Sequence, residues 1–137
     1  MDSEKLKNIV IREADALNKL LALLEEQHKL LLGNDVFQLE AIVEQIQAVN
    51  KEIAQIEVER RKETAGKAMS EIVRESKDLD LENSFRHIKK LISAVQLQKD
   101  TNDALIRQGL GFSTRMLNII SPDRNTKTYN AYGKLRR

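Results

Sequence analysis

The stretch DVFQLEAIVEQIQAVNKEIAQIEVERRKE, residues 35–63, decides the fold of this chain. Its apolar side chains recur at alternating steps of three and four residues, and most positions between them carry charges or amides. A helix shows this heptad seam when it faces another helix along its length. The stretch contains neither Gly nor Pro, so nothing in it interrupts the helix. The seam consists of Leu39, Ile42, Ile46, Val49, Ile53 and Ile56.

The residues before this stretch predict another long helix, from about Ser3 to Leu32. Its apolar stripe fills nearly four of every seven positions, wider than a heptad seam needs. We therefore expect this helix to touch neighbours on more than one side, or to expose part of its stripe. The Gly-Asn-Asp segment at 33–35 separates the two helices. We expect Gly33 to be left-handed and Asn34 or Asp35 to cap the next helix, which folds the pair into an antiparallel hairpin.

The remainder of the chain predicts one short helix and one further long helix. After an interruption at Gly66, residues 68–73 fit one or two helical turns, and a connection follows. A last helix then extends over about residues 81–121, although two glycines, at 109 and 111, each weaken it by roughly 1 kcal/mol relative to Ala. The predicted fold class is all-α: an antiparallel hairpin or bundle of three long helices plus one short helix, with coiled-coil-like packing.

Pro122 divides the chain into two predicted parts. Residues 1–121 form the helical domain, and residues 122–137 form a flexible tail, because apolar residues are sparse there. The tail holds five basic residues and one acidic residue, a net charge of +4, which leaves −2 for the remainder of a chain whose total is +2. We expect the folded body to lack the basic stripe that nucleic-acid binding requires, and therefore no nucleic-acid partner.

Composition argues against several other classes of protein. The 137 residues include no Cys and no Trp, 4% are aromatic and 32% are charged. No thiolate metal site or disulfide framework is therefore available, and the core must be aliphatic, as in helical bundles. No apolar run approaches the roughly 20 residues that span a bilayer, and the first residues do not resemble a signal peptide. We expect a cytoplasmic protein with no membrane insertion.

No residue pattern indicates an enzyme. The sequence lacks the phosphate-binding, dinucleotide-binding, zinc-protease and nucleophile motifs. His28 and His87 have no second histidine, and no carboxylate four residues on, so we interpret them as structural or surface residues rather than metal ligands. The basic run Arg60-Arg61-Lys62 complements the negative end of its helix, an interpretation we favour over phosphate binding. We expect no catalytic residues, no metal and no cofactor.

Two other segments are candidates for binding. The Gly-Leu-Gly-Phe segment at 109–112 fits two interpretations, a simple kink or a place where a partner's backbone approaches closely. An apolar strip on a weak helix is a common surface for partner helices. The strip consists of Leu105, Ile106, Phe112, Met116 and Ile119. The second candidate is the tail, which holds both tyrosines of the chain, Tyr129 and Tyr132.

These residues resemble a known family, the FlgN family of flagellar type III export chaperones. The similarity lies in the order of several short segments over nearly the whole chain: LEEQHKLL at 24–31, GND at 33–35, LE-x-IV at 39–43, ERR at 59–61 and TYNAYG at 128–133. Members of the family often end with a tyrosine-containing motif that finishes in glycine, as Gly133 does here.

The resemblance implies a cytoplasmic chaperone for the hook–filament junction proteins, also called hook-associated proteins. Such a chaperone keeps the helical termini of its clients from self-associating and delivers them to the membrane export gate. On this basis we expect the client on the apolar strip and the export gate at Tyr129, Tyr132 and Gly133, with the basic residues of the tail steering the encounter. The other interpretation is that the tyrosines pack back onto the bundle.

Two rival functions remain open from the residues alone. One is a structural coiled-coil scaffold or homodimerising tether, whose seam is covered by a second copy of the chain. The other is a helical arm that binds RNA or DNA through the tail cations, and it predicts binding that weakens steeply with salt. A chaperone is expected to be a monomer or at most a weak homodimer, whereas a scaffold is an obligate dimer.

Overall fold

Four helices make up the part of the chain that the computed structural model describes, residues 3–33 and 35–108. They are α1 (Ser3–Gly33), α2 (Val36–Thr64), α3 (Met69–Ser76) and α4 (Leu79–Arg107). The predicted all-α class with three long helices and one short helix is confirmed, and the described residues include no strand. The predicted extension of the last helix to residue 121, the two glycines within it, and the tail with its domain boundary lie outside the described residues.

The first two helices form the predicted antiparallel hairpin. Ion pairs join the start of α1 to the end of α2 and the middle of each helix to that of the other: Lys5 to Glu63 at 3.4 Å, and Lys19 to Glu52 at 3.8 Å. From the first pair to the second, the residue number rises in α1 and falls in α2, so the two helices run in opposite directions. These pairs are largely exposed, so they define the register more than they stabilise the fold.

The caps follow the prediction at one turn and depart from it at another. The Asp35 carboxylate accepts a hydrogen bond of 3.2 Å from the Gln38 amide, so Asp35 caps α2 as expected. The left-handed conformation expected at Gly33 is wrong, because Gly33 remains within α1 and its φ is not positive. Among the described residues, the non-glycine residues with positive φ are Ala65 and Lys77, both at 54°, and each directly follows a helix.

The last helix, α4, runs parallel to α1 and antiparallel to α2. At its start, Lys7 of α1 pairs with Asp78 at 3.0 Å, and near its end Asn102 bonds Gln27 at 2.9 Å. The end of α2 already lies beside the start of α1, and the short α3 with its flanking turns connects α2 to α4 at this same end, which makes the order of the long helices up, down, up. α1 packs along both α2 and α4, and α3 packs on α4. Because α1 contacts both α2 and α4, its apolar stripe is wider than a single heptad seam.

The interior consists of two hydrophobic clusters. The larger one occupies the two thirds of the bundle that lie farther from the hairpin end, and it joins all four helices. Its members include Leu6, Val10, Leu17, Ile53, Ile72 and Ile88. The smaller one lies at the hairpin end, where Leu31, Leu39 and Ile106 bring one residue from each long helix together. Five of the six predicted seam residues belong to these clusters or to the side chains packed on them, and Ile42 is itself buried.

Candidate functional site

The two described members of the apolar strip lie in the small cluster at the hairpin end. Ile106 is 1% exposed and packs with Leu31 of α1 and Leu39 of α2. Leu105 is half-buried and packs against the same cluster. The remaining strip residues, Phe112, Met116 and Ile119, lie outside the described residues. The structure therefore places the start of the strip at the hairpin end, anchored there by Ile106.

Exposed apolar side chains surround this end of the bundle. Phe37, in the first turn of α2, is 87% exposed, and Leu32, in the last turn of α1, is 63% exposed. Leu30 is half-buried and packs against the small cluster. Phe37 does not occupy a position of the heptad seam of α2, so the seam predicted no role for it. The hairpin end thus combines a small core with two large apolar residues in solvent.

A layer of polar side chains separates the small cluster from the larger core. Asn102 of α4 is 1% exposed. Its amide nitrogen donates to the Leu24 carbonyl oxygen at 2.8 Å and to the Gln27 side-chain oxygen at 2.9 Å. Its amide oxygen accepts from Gln98 at 3.0 Å and lies 3.3 Å from His28 Nδ1. Every hydrogen-bonding atom of this buried amide is satisfied, as burial requires.

This polar layer is the feature that sequence reasoning missed. The segment at 98–103, QKDTND, consists of polar residues only, so its composition alone predicts no core position there. Yet Asn102 continues the seven-residue spacing of Leu81, Ile88 and Val95, and that spacing was the available signal. A polar residue at one seam position fixes the register of a helix pair at some cost in stability. The structural interpretation of His28 agrees with its contact to this network.

Two of the three basic residues that close α2, Arg60 and Arg61, pair with carboxylates. Arg60 Nε lies 3.3 Å from an oxygen of Glu13, which is 4% exposed, and Arg61 lies 3.7 Å from Glu57 of its own helix. Burial raises the pKa of Glu13, and the nearby charge of Arg60 only partly opposes that rise. The end of α2 is therefore engaged with its own bundle, in agreement with the structural interpretation over phosphate binding.

A basic cleft lies between α3 and α4, on a body whose net charge of −2 led us to expect no basic stripe. The cleft has a volume of about 780 Å³ and contains one carboxylate, Glu82. Net charge did not predict this cluster, because a total does not show how the charges are distributed over the surface. Five cations line it: Arg74, Lys77, Arg86, Lys89 and Lys90.

Within residues 3–33 and 35–108, no three or more side chains of the types that bind metals come together. None of the helices described there carries an apolar stretch sufficient to cross a bilayer. The predicted docking residues Tyr129, Tyr132 and Gly133 lie outside the described part of the chain.

A family model described as FlgN protein matches residues 1–137, the whole chain. No curated protein and no solved structure matches. The resemblance drawn from short segments is thereby confirmed over its full extent.

Proposed function

The chain belongs to the FlgN family, and on that premise we propose that it is a cytoplasmic chaperone for flagellar export. It binds the helical termini of hook-associated proteins, keeps them from associating prematurely, and delivers them to the flagellar type III export gate. The observation that carries this proposal is the family match over residues 1–137. The structure supports it by presenting a small helical bundle with two large apolar residues, Leu32 and Phe37, exposed at the hairpin end.

The proposed client site is the apolar strip that begins at the hairpin end. Ile106 is buried and holds the strip against α1 and α2, whereas Leu105 is half-buried and offers part of its surface to a client helix. Phe112, Met116 and Ile119 continue the strip in sequence. Each fully buried side chain of this size contributes roughly 1.5–3 kcal/mol before the entropy cost of association. A few such residues are enough to hold an amphipathic helix.

Titration calorimetry with the isolated terminal helices of hook-associated proteins tests this site. Replacing Phe112 and Met116 by Ser and Gln is expected to weaken binding at least tenfold, since two such contacts exceed the roughly 1.4 kcal/mol that tenfold represents. The matched control replaces Ile11 and Val58, which are about half exposed on α1 and α2, in the same way. Unchanged affinity in the strip variant would place the client elsewhere.

The rival scaffold function loses its main support from the structure. The scaffold needs a second copy to cover the seam of α2. In the structure, Leu39, Ile42, Ile53 and Ile56 are buried by the same chain. Sedimentation at micromolar concentration is expected to show a monomer or a weak dimer. An obligate dimer that resists dilution would favour the scaffold over the chaperone.

The tail is proposed to dock the loaded chaperone to the export gate through Tyr129, Tyr132 and Gly133. Removing residues 122–137 is expected to leave client affinity unchanged while export of the client falls. Replacing only the two tyrosines by Ser separates their role from that of the tail cations. Normal secretion by the truncated protein would reject the docking role, and a drop in its melting temperature would show that the tail packs on the bundle.

A further inference from the structure

The cleft between α3 and α4 combines a cluster of cations with an apolar floor. Ser70, Val73 and Arg74 of α3 line it, together with Lys77, the left-handed residue that follows the helix, and the acidic residues Glu71 and Glu75 are not among its lining. Glu75 instead pairs with Lys67. The α3 segment therefore contributes two cations, Arg74 and Lys77, to the cleft, and neither Glu71 nor Glu75 lines it.

On α4, the cleft continues along a single face of the helix. Glu82, Phe85, Arg86, Lys89, Lys90 and Ser93 line it, at the steps of three and four that place residues on one side. Phe85 is half-buried, and the Lys89 ammonium lies 5.1 Å from the centre of its ring. Glu82 is engaged by Arg86 at 2.8 Å. The cleft therefore keeps a strong excess of positive charge over a partly exposed aromatic ring.

Two exposed leucines extend this face at both ends. Leu79 is 71% exposed and Leu97 is 70% exposed. Leu79, Arg86, Lys90 and Leu97 are separated by seven, four and seven residues, so they lie along one line of the helix. The distance between the leucines along the axis is roughly 27 Å, or about five helical turns. This line of α4 residues has apolar ends and a cationic middle.

We propose that this α3–α4 face is a docking surface for an acidic amphipathic helix of a partner protein. Carboxylates along the middle of such a helix pair with the five cations, and apolar side chains near its ends cover Leu79 and Leu97. Helix-in-groove recognition has this form, with apolar anchors and charges that set orientation. A face that carries only charges is stable in water without a partner. This face also exposes two aligned leucines and part of an aromatic ring, and a partner would remove that apolar area from water.

The surface is distinct from the proposed client site. The cleft lies beside the start of α4, whereas the apolar strip begins at its end, after Asn102. A phosphate backbone has no apolar groups for the two leucines, and a flat lipid surface does not enter a concave cleft. A helix of a protein fits all three features of the face. The inference does not depend on which client the chaperone carries.

The test uses the full chain and a labelled synthetic peptide of about five turns, roughly 27 Å, with glutamates along its middle and a leucine near each end. Fluorescence anisotropy measures its binding at low and at high salt. The cleft variant replaces Arg86, Lys89 and Lys90 by Gln. The control variant replaces three exposed lysines elsewhere by Gln: Lys29, Lys51 and Lys62. Both variants lose the same charge and keep the basic tail.

We expect the cleft variant to lose about tenfold in affinity, in the range that removal of interfacial charges produces, with the control variant near wild type. Replacing Leu79 and Leu97 by Ser is expected to weaken binding at high salt as well, because apolar contacts are not screened. Equal loss in both triple variants would overturn the proposal. So would equal binding of a peptide with scrambled order, or cleft-dependent binding of anionic vesicles or duplex RNA without binding of the peptide.

Discussion

The side-chain amide of Asn102 on α4 donates a hydrogen bond of 2.8 Å to the main-chain carbonyl oxygen of Leu24 on α1. The bond lies in the polar layer between the two hydrophobic clusters, where only one alignment of α1 and α4 satisfies the amide. Sliding the helices by one turn would leave it buried and unpaired, at a cost of about 1–3 kcal/mol. This pair therefore sets which residues of α4 reach the hairpin end, and so where the client strip begins.

Replacing Asn102 by Ala is expected to lower the free energy of unfolding by about 1–3 kcal/mol, because Gln27 and Gln98 lose their buried partner. Urea unfolding followed by circular dichroism measures the change. Asn83, exposed on the same helix, gives the matched control. Its replacement by Ala is expected to change stability by no more than about 0.5 kcal/mol. Equal losses of stability at both positions would contradict the claim that the buried hydrogen bonds of Asn102 stabilise the bundle.

The seam of α2 is tested by placing a charge in it. Ile53 is 8% exposed within the larger core, so Ile53→Asp buries an unpaired carboxylate and is expected to abolish cooperative unfolding. Val58 lies on the same helix and is 48% exposed. Val58→Asp is expected to cost no more than about 1 kcal/mol. Retained helicity and melting temperature in the Ile53 variant would refute the seam assignment.

The buried carboxylate of Glu13 predicts a pH dependence with a definite sign. Because burial raises its pKa above the ordinary 4.5, ionisation costs more in the folded chain than in the unfolded chain. The stability of the protein therefore falls as pH rises from 4.5 through the raised pKa. Glu13→Gln keeps an acceptor for Arg60 without the charge. The melting temperature of the Gln variant minus that of the unaltered protein is expected to be higher at pH 7 than at pH 4.5. A difference that is lower at pH 7 would contradict the effect of burial.

Asp78 predicts the reverse dependence. Its carboxylate pairs with Lys7 and accepts from the amides of Asp80 and Leu81 at 3.0 and 3.3 Å, and these contacts lower its pKa. Its stabilisation is full above the ordinary pKa of 3.8 and is lost as pH falls through the lowered value. Asp78→Asn keeps the cap and loses the ion pair, whereas Asp78→Ala loses both. The melting temperature is expected to fall in that order, and equal values for the two variants would show that the cap has no effect.

The sequence was informative wherever a single helix carried the signal. The steps of three and four from Leu39 to Ile56 predicted α2, and the width of the stripe in α1 allowed for its two neighbours. Asp35 was a sound cap prediction, because capping depends on a side chain and its own next turn. The family resemblance rested on the order of several segments, and the match to residues 1–137 confirmed it.

The errors arose where the answer depends on which helices meet. Asn102 lies in a segment that is polar by composition, and only its contact with α1 makes it a core residue. The basic cleft combines residues from α3 and α4, so the net charge of the body could not predict it. Gly33 was assigned the left-handed conformation from residue type, yet α1 continues through it. Ala65 and Lys77 adopt that conformation instead, against their own preference, because the turns there require it.

Secretion by the source organism tests the central claim most directly. The gene for this chain is deleted, and the hook-associated proteins in the culture supernatant are measured against the hook subunit, which serves as an internal control for the export apparatus. The account predicts that the hook-associated proteins are depleted from the supernatant while the hook subunit is not, and that the full chain restores them. Hook-associated proteins secreted at normal levels by the deletion strain would contradict the chaperone function.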